Sequence, residues 1–430
     1  MPQLRASIVA IGNELLSGRV TDTNSTAICR KLYRLGIEVT HVTQVKDIHH
    51  DIVQELTREA KRADIVVTTG GLGPTSDDLT RETLADLAGV PLEEQPRARA
   101  KLEALFAARG RTPSPNNLKQ VLFPAGAEVI TNRIGTADAF VTRLTVDGRI
   151  VPIVSLPGVP REMETIFEEE LSTWLERNLP SADSRPLFLS LRCFGRSESY
   201  LGLQIESLNL NPVIEVAYRP MFPEILLTFT HIGSGSREER LEELTDAVTH
   251  VRELIGPQFV FTDRADETLP AHVGKLLAEK GLTLACAESC TGGLIAHLLV
   301  SQAGASQYFA SSVVAYSNDA KSVFLGVRPA IIARYGAVSG EVVKEMARGA
   351  LHRMGTDFAV SISGIAGPDG GTEAKPVGTF WIGIATKSEE LAFEQFFPHE
   401  RDMFRTYGAH LALELLRRKI LGYPLTWQRK

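Results

Sequence analysis

Residues 63–80, ADIVVTTGGLGPTSDDLT, decide how the fold is read. IVVTT is short, apolar and β-branched, as a buried strand requires. Glycines at 70, 71 and 73 end it, and the polar run that follows leads into a helical pattern. A buried strand that passes through a glycine-rich loop into a helix is one step of a parallel α/β sheet. The same rhythm continues outward. ASIVAIG and IEVTHVTQV are strands, and VPIVSLPG is a later one. Asp22 to Leu35 is a helix with Ile28, Leu32 and Leu35 on one face and Gly36 as its stop. His49 to Arg62 is a second helix, and another starts near Arg161.

The rhythm changes after residue 175. LFLSLRCFG, VIEVAYRP and EILLTFTHI are strands lying close together, with a short helix after Ser197 and a longer one from Glu238. Alternation returns after residue 255. A helix spans Leu269 to Lys280, LTLACA is a strand, and a helix opens at Gly292. YFASSVVAYS and DFAVSISGIAG are strands separated by a helix from Val342 to Met354. VGTFWIGIAT and LAFEQFFP form a strand pair, and Arg401 to Leu421 is a closing helix. The division is therefore 1–175, 176–255 and 256–430: two three-layer α/β domains with largely parallel sheets, joined by a small α/β module.

Bulk properties exclude several classes. The chain has 430 residues, 43% hydrophobic and 23% charged, with a net charge of −6. That balance argues against a large basic surface, so no nucleic-acid partner is expected. No apolar run reaches the ~18 residues of a membrane span, and the start carries no signal-peptide pattern. The four cysteines (29, 193, 286 and 290) form no zinc-ligand spacing with histidines. So few cysteines fit a reducing, cytoplasmic setting.

Two sets of residues carry chemistry. In the first, three polar, glycine-bearing loops follow predicted strands: Asn13 and Glu14; Gly70, Gly71 and Gly73 with Asp77 and Asp78; Gly158 with Glu162. Ligands of open parallel sheets bind beyond the carboxyl ends of the strands. Glycines let backbone N–H groups approach a phosphate. Carboxylates beside a phosphate make sense when Mg²⁺ or a similar ion lies between them. The plain alternative is a tight turn with Asp as a helix cap. GNELLSGRVTDTNS, TTGGLGPTSDDLTRE and LPGVPREM resemble the molybdopterin-binding-like domain that opens CinA-family proteins. The resemblance implies metal-dependent hydrolysis of ADP-ribose, with Asn13, Gly70, Gly71, Gly73 and Gly158 on substrate and Glu14, Asp77, Asp78 and Glu162 on a divalent metal. Related domains bind molybdopterin instead.

The second set surrounds AESCTGG, residues 287–293. Ser289 lies between a strand and a helix, where free helix N–H groups hold an oxyanion or a phosphate. A helix-capping serine is the plain alternative. Lys321, in AYSNDAK, reaches a helix start at the same sheet edge; as an exposed lysine it has no role, and as a base it needs a lowered pKa. Cys290 is a rival nucleophile, since a thiolate at a helix N-terminus is activated. His297 lies within the helix and reads as surface or packing. AESCTGG, AYSNDAK, GAVSGEVV and SISGIAGPDGGTEAKPVGT occur in this order and resemble the C-terminal domain of CinA, a nicotinamide mononucleotide amidohydrolase. The resemblance implies a Ser289–Lys321 dyad that needs no cofactor, with Tyr316 shaping the base site. It puts Glu288, Thr291, Gly292, Gly293, Ser363, Gly364 and Gly367 around the substrate. Arg401 and Arg405, one helical turn apart, suit a phosphate; an exposed charged helix face is the alternative. The family's usual Gly-Asp/Asn-Arg is replaced here by His399-Glu400-Arg401. The middle module resembles a KH-type unit that joins subunits, so a homodimer is expected. The rival readings are a molybdopterin- or nucleotide-binding protein without turnover and a competence or damage-inducible accessory protein.

Overall fold

The structure is a computed structural model that describes residues 4–178 and 186–425. The chain divides into two compact units, Met1–Leu187 with Ile232–Arg240, and Phe188–His231 with Leu241–Lys430. Among the described residues no helix is long and apolar enough to cross a membrane.

The strands of the first unit are β1 (Arg5–Ile11), β2 (Glu38–Val45), β3 (Ile65–Thr69), β4 (Leu92–Glu94), β5 (Leu122–Pro124), β6 (Glu128–Ile130), β7 (Ala139–Val146) and β8 (Arg149–Leu156). Six of them form one sheet in the order β2-β1-β3-β8-β7-β6, while β4 and β5 pair separately. β1, β2, β3 and β8 run parallel; β7 and β6 are antiparallel additions. The central strands are apolar on both faces because both are covered. Ala6, Ile8, Ile65 and Val67 pack against Ile28 and Leu32 of helix Thr23–Arg34 and Met163 of helix Pro160–Ile166. Val9, Ile11 and Val66 pack against Ile52 and Leu56 of helix His49–Arg62 and Leu84 of helix Thr80–Ala88. Each such Val, Leu, Ile or Met side chain contributes about 1.5–3 kcal/mol by burial. The β7–β8 hairpin is absent from the sequence reading. Its signal was Asp147-Gly148, a two-residue turn with both residues at positive φ, 49° and 77°.

In the second unit, β9 (Leu187–Phe194), β10 (Ile214–Met221), β11 (Glu224–His231) and β12 (Val260–Thr262) form a small sheet in the order β10-β11-β9-β12. Its fourth strand lies beyond residue 255, where the sequence reading ends this module. The larger sheet contains β13 (Leu284–Glu288), β14 (Phe309–Val314), β15 (Phe358–Gly364), β16 (Thr379–Thr386) and β17 (Glu390–Phe396), ordered β14-β13-β15-β16-β17. β14, β13 and β15 are parallel, and the last two pairs are antiparallel, so this sheet is mixed rather than largely parallel. Helices Leu269–Glu279, Leu294–Val300 and Arg401–Leu421 share one core with it. Helices Asn318–Leu325 and Gly340–Met354 share the other.

Candidate active sites

The Ser289 N–H donates to the Ile362 carbonyl at 3.0 Å, which holds Ser289 where β13 and β15 end. Ser317 caps helix Asn318–Leu325 and so sets Lys321 in its first turn. The Lys321 Nζ lies 3.0 Å from Ser289 Oγ, 2.9 Å from the Ala315 carbonyl and 3.1 Å from the Tyr316 carbonyl. Lys321 is 1% exposed and Ser289 7% exposed. Burial lowers the Lys321 pKa below the ordinary 10.5. Cys290 behaves in the opposite way to the sequence expectation. Its side chain packs into the apolar core with Ile295, Ile362 and Phe404. Burial pushes its thiol up to about 12, so it stays protonated and is a poor nucleophile.

The helix N–H groups expected to meet substrate are already occupied. Glu288 is fully buried and accepts from Gly293 N at 3.0 Å, Ile295 N at 3.0 Å and Ala296 N at 2.9 Å. It also accepts from the Thr291 and Ser312 hydroxyls at 2.7 and 3.0 Å. Gly293 sits at φ +93°, the left-handed turn that aims these donors back at the carboxylate. Glu288 and Thr291 are therefore structural, in correction of their assignment to substrate. Gly292 stays at the surface, with an Arg405 guanidinium nitrogen 3.7 Å from where a Cβ would stand.

The remaining residues do converge. Arg401 donates to the Gly367 carbonyl at 2.8 Å and to the Tyr316 hydroxyl at 3.1 Å. Arg405 donates to the Thr291 carbonyl at 3.0 Å, and its carboxylate neighbour Asp402 is 3.4 Å away and exposed. Tyr316 meets Lys321 through its carbonyl, and the residue is 62% exposed. Ser363 is buried and donates to the Ala337 carbonyl at 2.8 Å. A Cβ on Gly364 would stand 2.4 Å from that of Phe380. The Ser363 hydroxyl is thus spent within the protein, and Gly364 is required for packing against Phe380.

In the first unit the three predicted loops meet in a cleft of about 560 Å³ at the carboxyl ends of β1, β3 and β8. Glu14, Gly70, Gly71, Gly73, Asp77, Asp78, Gly158 and Glu162 all line it. Asn13 is not among the lining residues; it is exposed, and its N–H donates to Asp47 at 2.8 Å. The glycines serve the protein's own packing first. A Cβ on Gly70 would lie 2.1 Å from the Ile11 carbonyl oxygen, and one on Gly73 would lie 2.4 Å from Asp78 Oδ2. Asp78 is committed to Gly73 N and Thr75 N, both at 2.8 Å, and to the Thr75 hydroxyl. Glu162 accepts from Asn132 Nδ2 at 2.6 Å. Both oxygens of Asp78 are thus taken up by its own loop, which does not fit the metal role expected of it, whereas Glu162 meets Asn132 through one oxygen. Asp47, which the sequence reading missed, also lines the cleft. Burial raises its pKa, and repulsion from Glu14, Asp77 and Asp78 adds to the rise. Among the described residues no three acidic, histidine or cysteine side chains form a ready metal cage. The lining includes Glu14, Asp22, Asp47 and Asp77 but no Lys, Arg or His. Such a wall fits Mg²⁺ only through one or two carboxylates together with a ligand's own phosphate oxygens.

Residues 266–420 match the model of the CinA C-terminal domain, and residues 7–177 match that of a probable molybdopterin binding domain. A CinA-like protein of Syntrophomonas wolfei is 38% identical over 416 residues, covering 96% of this chain and 98% of that one. The chain belongs to the CinA family. A CinA-like protein of Myxococcus xanthus is 38% identical over 434 residues, covering 98% of this chain and all of its own. A solved structure, the competence/damage inducible protein CihA from Agrobacterium tumefaciens, is 38% identical, covers 35% of this chain and 93% of its own, and has a TM-score of 0.34. Within this CinA-family chain, Asp47 carried a readable signal: it stands two residues after the end of β2, the parallel strand next to β1. The carbonyls of Ala315 and Tyr316 carried none, because backbone groups leave no mark in a sequence.

Proposed function

We propose that the second unit is a nicotinamide-nucleotide amidase that converts nicotinamide mononucleotide to nicotinate mononucleotide and ammonia. The observation that carries this reading is the set of bonds at Lys321. A neutral amine has two hydrogens and one lone pair. Nζ has three oxygen neighbours; once the amine is neutral, the Ala315 and Tyr316 carbonyls can take its two hydrogens and leave the lone pair for the Ser289 hydroxyl. Lys321 then takes the Ser289 proton as Oγ attacks the amide carbon. The same proton passes to the departing nitrogen, and ammonia leaves. Lys321 next takes a proton from water, which attacks the acyl-serine, and returns that proton to Ser289 Oγ as the ester bond breaks and the carboxylate is released. Arg401 is held by neutral acceptors, and Arg405 by the Thr291 carbonyl and an exposed Asp402, so both can offer charge to the substrate's phosphate. The test is ammonia and nicotinate mononucleotide release from nicotinamide mononucleotide. A ligand-induced melting shift without product would favour the binding-protein reading.

The pH profile is a second check. Below the Lys321 pKa the amine is protonated and has no lone pair. Hence kcat/KM falls as pH drops through that value, and the rising limb has its midpoint below 10.5. A rising limb whose midpoint is no lower than the ordinary lysine value of about 10.4 would remove Lys321 from the role of base.

For the first unit we propose metal-dependent hydrolysis of ADP-ribose. The acidic, cation-free wall of the cleft supports it: a diphosphate is repelled there unless a cation accompanies it. Glu14 and Asp47, with Asp77 at the rim, would hold the ion. When bound, it would neutralise the diphosphate and activate water. Mg²⁺ and ADP-ribose added together are expected to raise the melting temperature more than the sum of each alone. Asp47→Asn is expected to erase that synergy. A full shift with ADP-ribose in the presence of a chelator would exclude the cation.

A further inference from the structure

The two arginines of the amidase site stand at the start of helix Arg401–Leu421, and the small sheet grips that region. Phe222, in the turn between β10 and β11, stacks on Phe397 with ring centroids 6.1 Å apart. Phe397 stacks on Tyr407 at 4.3 Å, and Tyr407 stacks on Phe194 of β9 at 6.1 Å. This line of rings starts and ends in the small sheet, and it brackets Arg401 and Arg405 on both sides in sequence. A buried polar tie runs beside it. Glu224, at the start of β11, pairs with Arg192 of β9 at 2.5 Å and accepts the Leu269 N–H at 3.0 Å. His410 of the arginine-bearing helix lies 3.9 Å from the same carboxylate.

We propose that the small sheet is a working part of the amidase site, with Phe222 as a positioning residue. Through Phe397 it sets the direction in which the helix presents Arg401 and Arg405 to a phosphate. The inference rests on the reading of those arginines as the phosphate site. It gives the middle module a role in substrate selection that composition and pattern did not suggest. Misplacing a binding group by even ~1 Å weakens the contacts it makes.

The test uses the full chain with Phe222→Ala and Phe222→Tyr. Phe222 is 43% exposed at a turn, so its truncation leaves no buried cavity. Ribose 5-phosphate is the probe, read by calorimetry, together with KM and kcat for nicotinamide mononucleotide. Phe222→Ala is expected to weaken ribose 5-phosphate binding and raise KM by roughly three- to tenfold, the strength of an aromatic pair, with kcat nearly unchanged. Phe222→Tyr, which keeps the ring, is expected to restore both. Unchanged ribose 5-phosphate binding in Phe222→Ala overturns the proposal, as does a fall in kcat alone. Wild type that releases no ammonia overturns the amidase reading instead, and the calorimetry still decides the positioning.

Discussion

If the second unit is the proposed amidase, Ser289→Ala is expected to lower nicotinamide mononucleotide turnover by on the order of 10³-fold or more, and Lys321→Met to do the same. The two act as one unit, so the double variant is expected to be no worse than either single one. Methionine keeps the length and apolar contacts of the lysine stem and deletes only the amine. Cys290→Ala is expected to stay within a few-fold of wild type, because its thiol is buried and protonated. Ammonia release under saturating substrate reads all four. Loss confined to Cys290→Ala would keep the reaction and move the nucleophile. Full activity in Ser289→Ala would end the acyl-serine mechanism.

Glu288→Ala carries the largest expected effect on stability. The carboxylate answers three backbone N–H groups and two hydroxyls with no access to water. Removing it leaves buried donors unsatisfied, for a loss of about 3–5 kcal/mol. Glu288→Gln is expected to fall between the two, since its amide turns a donor toward donors. Urea midpoints measure both. If Glu288→Ala kept wild-type stability and lost only affinity for substrate, the residue would return to the binding role that its sequence neighbourhood suggests.

How far the sequence can be read differs between the two sites. Ser289 and Lys321 were singled out because their motifs resemble those of the CinA C-terminal domain; taken singly, they read equally as a helix cap and an exposed lysine. The glycine loops of the cleft were legible because strand-to-helix turns punctuate the pattern. The assignments that changed concern which donors are already satisfied. Glu288 looked like a substrate residue, and Asp78 looked like a metal ligand. Each is committed to donors brought by chain reversal: Gly293 to Ala296, and Gly73 and Thr75. The β7–β8 hairpin was missed although Asp147-Gly148 announced it, because the parallel rhythm on either side dominated the reading.

By itself, then, the sequence determined the alternating α/β layers and the three loops of the cleft, and it displayed Ser289 and Lys321 as candidates. Periodicity and residue type are local properties, and those features depend on nothing else. Only the tertiary structure decided that Lys321 is dry, with two carbonyls and one serine as its partners. Only it decided that Cys290 is core, that Asp47 joins the acidic wall, and that the small sheet stands behind Arg401 and Arg405. Desolvation and hydrogen-bond saturation depend on which distant segments arrive at a side chain, and strand pairing and helix packing set that.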